Sequence, residues 1–245
     1  MRLGYSLNGF VVCNIDSCFV PLFYKISDMK RILLFSALAI MVMMNSCCEK
    51  QLQNEKCMTM TKDQQVVENL KTRRSVRAYK PDLIPDDVMN SILECAVYAP
   101  SGMNRQPWEL RVVTDTAILD GLTRLQVSSM DADDPRNPKN DPNFRNMFRN
   151  APTVVFVGIQ EGPCSLVDCG LLTGNLVNAA WAYGIGSCIQ MAPVRFILSC
   201  EEAKPYLDMM QFSEDFELTL AIGLGYPDET PDAKPRDMSK IRYIR

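Results

Sequence analysis

The stretch Ala99–Trp108, reading APSGMNRQPW, decides how this chain is understood. Proline and glycine punctuate it, so it is a loop rather than the interior of a helix or strand. It offers Ser101, Asn104 and Gln106 as hydrogen-bonding side chains. Upstream, Arg73-Arg74-Ser75-Val76-Arg77 gathers three guanidinium groups and a hydroxyl within five residues. That donor set suits a phosphate and other anionic atoms. Neither stretch belongs in a packed core, and together they point to a flat, phosphorylated cofactor.

The chain has 245 residues, 47% of them hydrophobic, enough for one sizeable core. Its 26 basic and 29 acidic side chains leave a net charge of −3, without the clustered positive charge of a nucleic-acid binder. Two small basic clusters, Arg73–Arg77 and Lys234–Arg236, fit a small anion better than a polymer. There is no histidine. This removes Ser-His-Asp and Cys-His catalysis, His-ligated zinc and imidazole acid–base chemistry. Any reaction must then be carried by a cofactor or by carboxylates, and no carboxylate pair stands out by spacing. Ten cysteines include no C-x-x-C, which argues against a metal knuckle. Cys95, Cys188 and Cys200 sit among apolar residues and read as small buried hydrophobes. Spacing leaves open whether Cys164 and Cys169 pair.

Near the N-terminus, Met29-Lys30-Arg31 followed by the apolar run Ile32–Met44 has the form of an export signal. The run is shorter than the roughly 20 residues that span a bilayer. Ser46-Cys47 follows, as in a bacterial lipobox, with Cys47 as the lipidated residue and Cys48 as the fallback acceptor. Residues 1–28 then form an upstream extension from a misassigned start, 29–46 the signal and 47–60 a polar tether. An ordinary anchor or buried segment over 1–46 is the alternative. Several acyl chains on Cys47 would hold the exported domain at a membrane.

From residue 61 onward the pattern is globular. Thr61-Lys62-Asp63-Gln64 predicts a capping box, opening a helix whose apolar side is Val66, Val67 and Leu70. Pro85-Asp86-Asp87 opens a second helix, with Val88, Met89, Ile92, Leu93, Ala96 and Val97 as its stripe, ended by Pro100. Trp108–Thr114 reads as a strand, and Ile118, Leu119, Leu122 and Leu125 as one face of a helix. Asp131–Asn143 is a solvated loop, better read as a surface excursion than as a lid. Val154–Ile159 has the continuous apolar character of a strand covered on both faces. Leu166–Tyr183 is a helix too apolar to stand in water, buried in part by another subunit and closed by Gly184. Ser199 with Glu202 caps a short helix, Glu217–Gly225 is the last strand, and the tail to Arg245 is basic and irregular. These elements amount to one domain of mixed α and β type.

RRSVRAY, then APSGMNRQPW after a helix, then a glycine-rich strand end followed by Lys234-Pro235-Arg236, resembles the FMN-dependent nitroreductase family. The likeness covers about Val66 to Arg245. It implies an α+β fold with a central mixed or antiparallel sheet flanked by helices, forming a homodimer with FMN at the interface. By that resemblance Arg73, Arg74, Ser75 and Arg77 hold the phosphate, ribityl and pyrimidine side of the flavin. Pro100, Ser101, Gly102 and Asn104 reach the FMN of the partner chain. Met191 and Ala192 lie where the family sets backbone near the reactive nitrogen, and Lys234 and Arg236 match its C-terminal phosphate pair. No catalytic side chain and no metal is implied, because the flavin carries the chemistry.

The implied activity is ping-pong transfer of hydride from NAD(P)H, through FMN, to a small acceptor such as a nitroaromatic or a quinone. Gln190-Met191-Ala192-Pro193 lacks the acidic residue of well-known nitro-reducing members. A module that stores or senses FMN without turnover is one alternative, and a dehalogenating or flavin-degrading enzyme is another.

Overall fold

Thr153–Gln160 is apolar at nearly every position, and only its last residue escapes full burial. It is β2 of a four-stranded sheet whose other members are β1 (Trp108–Val113), β3 (Gly186–Gln190) and β4 (Phe216–Gly225). In the computed structural model, which describes residues 60–134 and 137–245, the strand order is β1-β2-β4-β3 and every pairing is antiparallel. A continuous apolar run is usual for parallel strands; here it arises because helices cover both faces of an antiparallel sheet. Successive β2 side chains alternate between two cores, Val155 and Val157 in one, Val154 and Phe156 in the other. A bulge opposite Val157 and Gly158 inserts Thr219 into β4. Leu218 and Leu220 therefore enter opposite cores although they are two residues apart.

Six helices flank the sheet among the described residues: α1 (Lys62–Thr72), α2 (Asp86–Val97), α3 (Thr116–Ser129), α4 (Ser165–Ala182), α5 (Ala192–Ser199) and α6 (Lys204–Met210). One core packs α2 and α4 against the sheet through Met89, Ile92, Leu172 and Leu176. The other takes Leu122 of α3, Ile197 of α5 and the edge-to-face pair Phe148–Phe156, whose centroids lie 5.4 Å apart. Gly184, at φ +72, ends α4 in the left-handed conformation that suits glycine. Asp115 caps α3 by accepting from the Ala117 N–H at 2.8 Å.

Several expectations are corrected. The apolar side of α1 buries nothing: Val66, Val67 and Leu70 are exposed, and α1 is tied to α4 by polar contacts, such as Asn69 Nδ2 donating to the Asn178 carbonyl at 2.9 Å. Helix α4 buries only one side in this chain, leaving Leu166, Val167 and Leu171 in solvent. Cys95 is exposed, because it lies off the stripe formed by Met89, Ile92 and Ala96. Ser199 caps nothing. It is the last residue of α5, and its hydroxyl donates back to the Phe196 carbonyl. Strand β3 and helix α5 had no periodic signal; β3 exists because five residues, Ser187 and Gln190 the polar ones, pair with β4. Cys164 and Cys169 are free thiols. The extension, the signal with Cys47, and the tether up to residue 59 lie outside the described residues. No described helix is long and apolar enough to cross a membrane.

Phe156→Ala is expected to lower the unfolding free energy by about 3–5 kcal/mol, read from urea denaturation. A loss below about 1 kcal/mol would mean that the Phe148–Phe156 core is not packed as described.

Candidate functional site

The arginine run is positioned by the outer edge of β3. Ser75 bridges Ser187 in parallel, and the Val76 N–H donates to the Ser187 carbonyl at 3.0 Å. Val76 is fully buried, which turns its neighbours outward. A Cβ on Gly186 would fall 2.9 Å from Val76 Cβ, so the glycine permits this approach. Farther on, Tyr79 bridges Pro227, and the Lys80 N–H donates to the Tyr226 carbonyl. The first residues after β4 are thereby held beside the run, and the Arg77 N–H donates to the Glu229 carboxylate.

These contacts bring distant cations together. Burial lowers the pKa of Arg73, and the nearby charges of Arg236 and Arg74 lower it further. Arg74 donates to the carbonyls of Lys71 and Arg73, closing the end of α1. Arg236 donates to the Lys234 carbonyl at 2.9 Å. The ion pair found among the described residues lies elsewhere, between Arg111 and Glu109. Arg73 thus feels the charges of both Arg74 and Arg236, and among the described residues none of the three is ion-paired with a carboxylate. Like charges held together at a half-buried site call for an anion.

Next to this cluster, a cleft of about 750 Å³ opens on the outer side of β3. It is lined by Arg77, by Cys188, Gln190, Met191 and Ala192 from β3 and the start of α5, and by Asn137, Asp141, Phe144, Asn146 and Arg149 from the segment before β2. Met191 precedes α5, whose first turn has no side-chain cap, so its amides are available at the cleft. Gln190 is buried, and its Nε2 donates to the Phe148 carbonyl at 3.0 Å. Burial pushes the Cys188 thiol up against the opposing pull of Arg77 and Arg149. Burial also pushes up the Tyr79 phenol, which donates to the Val76 carbonyl.

The APSGMNRQPW loop stands apart. Met103 and Asn104 both have φ +54 and Gln106 has φ +48, left-handed values that cost non-glycine residues energy. The conformation is held from within, because Ser101 Oγ accepts from the Gln106 N–H at 3.0 Å. It is also held from below, where the buried Asp168 of α4 accepts from the Gly102 N–H at 3.0 Å. Asn104 accepts from Gln106 Nε2 at 3.3 Å. Pro100 and Asn104 are exposed, and Met103 is 87% exposed.

Of the residues singled out by sequence, Arg77, Met191 and Ala192 line the cleft, while Arg73, Arg74 and Arg236 cluster beside it. Ser75 lies between them, and Lys234 is on the tail. Within one chain, Pro100, Ser101, Gly102 and Asn104 line a separate small hollow or none. Sequence reasoning missed the lining that comes from the segment before β2. The segment read as a surface excursion supplies Asn137 and Asp141, and the residues just after it supply Asn146 and Arg149. The signal that could have found it is the asparagine spacing. Asn146 and Asn150 tie the turn together with their side chains, as asparagines in solvated loops need not.

The sequence profile of the nitroreductase family matches residues 70–226. This chain belongs to the nitroreductase family. Nitroreductase NfnB of Mycolicibacterium smegmatis is 46% identical over 199 residues, covering 66% of this chain and 82% of that protein. An iodotyrosine deiodinase of Thermotoga neapolitana is 25% identical over 187 residues, covering 71% of this chain and 94% of that one. The crystal structure of a nitroreductase from Bacteroides fragilis with bound FMN superposes with a TM-score of 0.64 at 28% identity, covering 74% of this chain and 98% of that one. The nitroreductase fold, α+β with an antiparallel central sheet, is thus that of this chain.

Asp168→Ala is expected to cost about 1–3 kcal/mol, because the Gly102 N–H loses its acceptor. Asp168→Asn, which keeps a carbonyl oxygen, should recover part of this. Equal unfolding midpoints for wild type and Asp168→Ala would show that this bond does not hold the loop.

Proposed function

We propose that this nitroreductase-family enzyme, an FMN-dependent NAD(P)H oxidoreductase, passes its electrons to a small acceptor such as a nitroaromatic or a quinone. The observation that carries this reading is the guanidinium cluster without a counter-anion, set beside a cleft large enough for a flat ring and a second ligand. The residues present fit the flavin nucleotide. A phosphate with nearly two negative charges answers the crowded charge of Arg73, Arg74 and Arg236, and Lys234 adds a further cation. When bound, FMN supplies two-electron chemistry between nicotinamide and acceptor, which is consistent with a chain that lacks histidine.

The remaining roles belong to the chain's own groups. Ser75 offers a hydroxyl between the phosphate cluster and the cleft. Arg77 places a fixed cation at the pyrimidine edge, its main chain anchored by Glu229. The amides at Met191 and Ala192, opening α5, face the reactive side of the ring. Pro100, Ser101, Gly102 and Asn104 complete the site from a second copy of the chain, which accounts for a strained loop that does not line its own cleft. The exposed Val66, Leu70, Leu166 and Val167 supply apolar surface for such a homodimer. Reductive dehalogenation is a second reading, favoured by the likeness to iodotyrosine deiodinase. Halide release from an iodophenol under turnover with reductant would distinguish it.

NADH or NADPH added anaerobically to the yellow holoprotein should bleach the flavin, and a nitroaromatic or quinone should restore the colour. No bleaching with either donor would leave a protein that binds FMN without turning over. Asn104→Ala and Arg236→Ala should each lose FMN, and mixing the two variants should regain flavin in part of the sites. Mixed dimers that stay colourless would contradict a site shared between two chains.

A further inference from the structure

The cleft contains a cation that the flavin reading does not use. We propose that Arg149 selects acceptors bearing a carboxylate on the aromatic ring, binding that group through its guanidinium while the reducible group lies against the flavin. This rests on the functional reading above.

Three observations carry it. Arg149 lines the same cleft as Arg77, and among the described residues no carboxylate comes within ion-pairing distance of it. Asp141, an acid that also lines the cleft, accepts from the Asn143 N–H at 2.9 Å in its own turn. The backbone beneath Arg149 is unusually fixed. Arg149 and Asn150 both have φ +61, a conformation non-glycine residues adopt only when their surroundings impose it. Asn150 Oδ1 accepts from the Arg145 and Asn146 N–H groups at 2.7 and 3.1 Å, and its Nδ2 donates to the Asn143 carbonyl at 2.9 Å. Arg149 itself follows the fully buried Phe148. An exposed cation on a rigid base loses little freedom when it pairs, which favours a specific ligand over a solvated charge.

The charge of Arg149 is also felt by Cys188 and Tyr79, both buried at the β3 side of the cleft. The guanidinium therefore lies near the side of the cleft that Cys188 and Gln190 line. A guanidinium reads a carboxylate through two parallel hydrogen bonds, a geometry no neutral substituent reproduces. The phosphates of the nicotinamide donor are the other source of anionic oxygen, and separating the half-reactions distinguishes the two.

The test uses FMN-loaded protein and the acceptors 4-nitrobenzoate and 4-nitrobenzamide, which differ in charge but little in shape. Arg149→Asn removes the cation, and asparagine tolerates the left-handed backbone; Arg149→Lys retains the charge. The ratio of kcat/KM for the benzoate over the benzamide should fall about tenfold in Arg149→Asn and by less in Arg149→Lys, which keeps the charge but loses the paired donors. The proposal is overturned by an unchanged ratio, by equal loss with both acceptors, or by a change confined to reduction by NADH or NADPH. Loss of FMN from Arg149→Asn would likewise overturn it, by placing Arg149 in the cofactor's grip. If the nicotinamides do not bleach the wild-type flavin, the functional reading fails instead. Benzoate binding to the oxidised holoprotein, followed by perturbation of the flavin spectrum in wild type and variants, then still decides whether Arg149 recognises the carboxylate.

Discussion

The pairing of Ser75 and Val76 with Ser187 is the contact on which the site depends. It is one backbone hydrogen bond of 3.0 Å and one buried valine. Yet it decides which way the guanidinium groups of the arginine run face. With Val76 driven into the core, its neighbours turn to the outer side of β3, where the cleft lies. Because the same segment continues to Tyr79 and Lys80, it also binds the chain leaving β4 and starts the tail toward Arg73. Three cations from two ends of the domain are gathered by main-chain geometry, against their mutual repulsion. Such an arrangement costs the folded chain some stability unless an anion offsets the repulsion.

Behind that edge the sheet serves as a rigid platform. Both faces of β2 and β4 are covered, and each of these central strands pairs on both sides. The bulge at Thr219 interrupts the β2–β4 ladder at one residue and lets β4 supply both cores. Loops attached to such a platform can hold strained conformations. The left-handed residues fall in two groups at loops, Met103–Gln106 and Arg149–Asn150, with one more at Gln211 after α6. Each loop group is held by side-chain hydrogen bonds, from Ser101 and Asp168 in one case and from Asn146 and Asn150 in the other. The second lines the cleft and the first does not. This division suits a site completed by two copies of the chain.

Much of the fold was legible because burial writes a period into the sequence. The stripe of α2, the face of α3 and the unbroken apolar run of β2 are direct records of what each element packs against. Strand β3 left no such record. Its residues Gly186, Ser187 and Gln190 are buried without being apolar, as their polar groups find partners in the backbone or the neighbouring turn. Helix α5 is too short for a periodic signal to emerge. The apolar sides of α1 and α4 were legible, but they describe contacts that one chain does not contain.

The sequence by itself determined the chemistry. Without histidine, and with guanidinium, hydroxyl and carboxamide groups placed in separate loops, the chain can hold a phosphorylated ring but cannot build an imidazole-based active site. Only the tertiary structure decided which groups meet. It set Arg236 near Arg73, and it brought Arg149 and Arg77 to one cleft. It also separated the Pro100–Asn104 loop from both. The reason is physical: residue types are local properties, whereas convergence of charges far apart in the chain depends on strand register, a bulge and the direction in which one buried valine points.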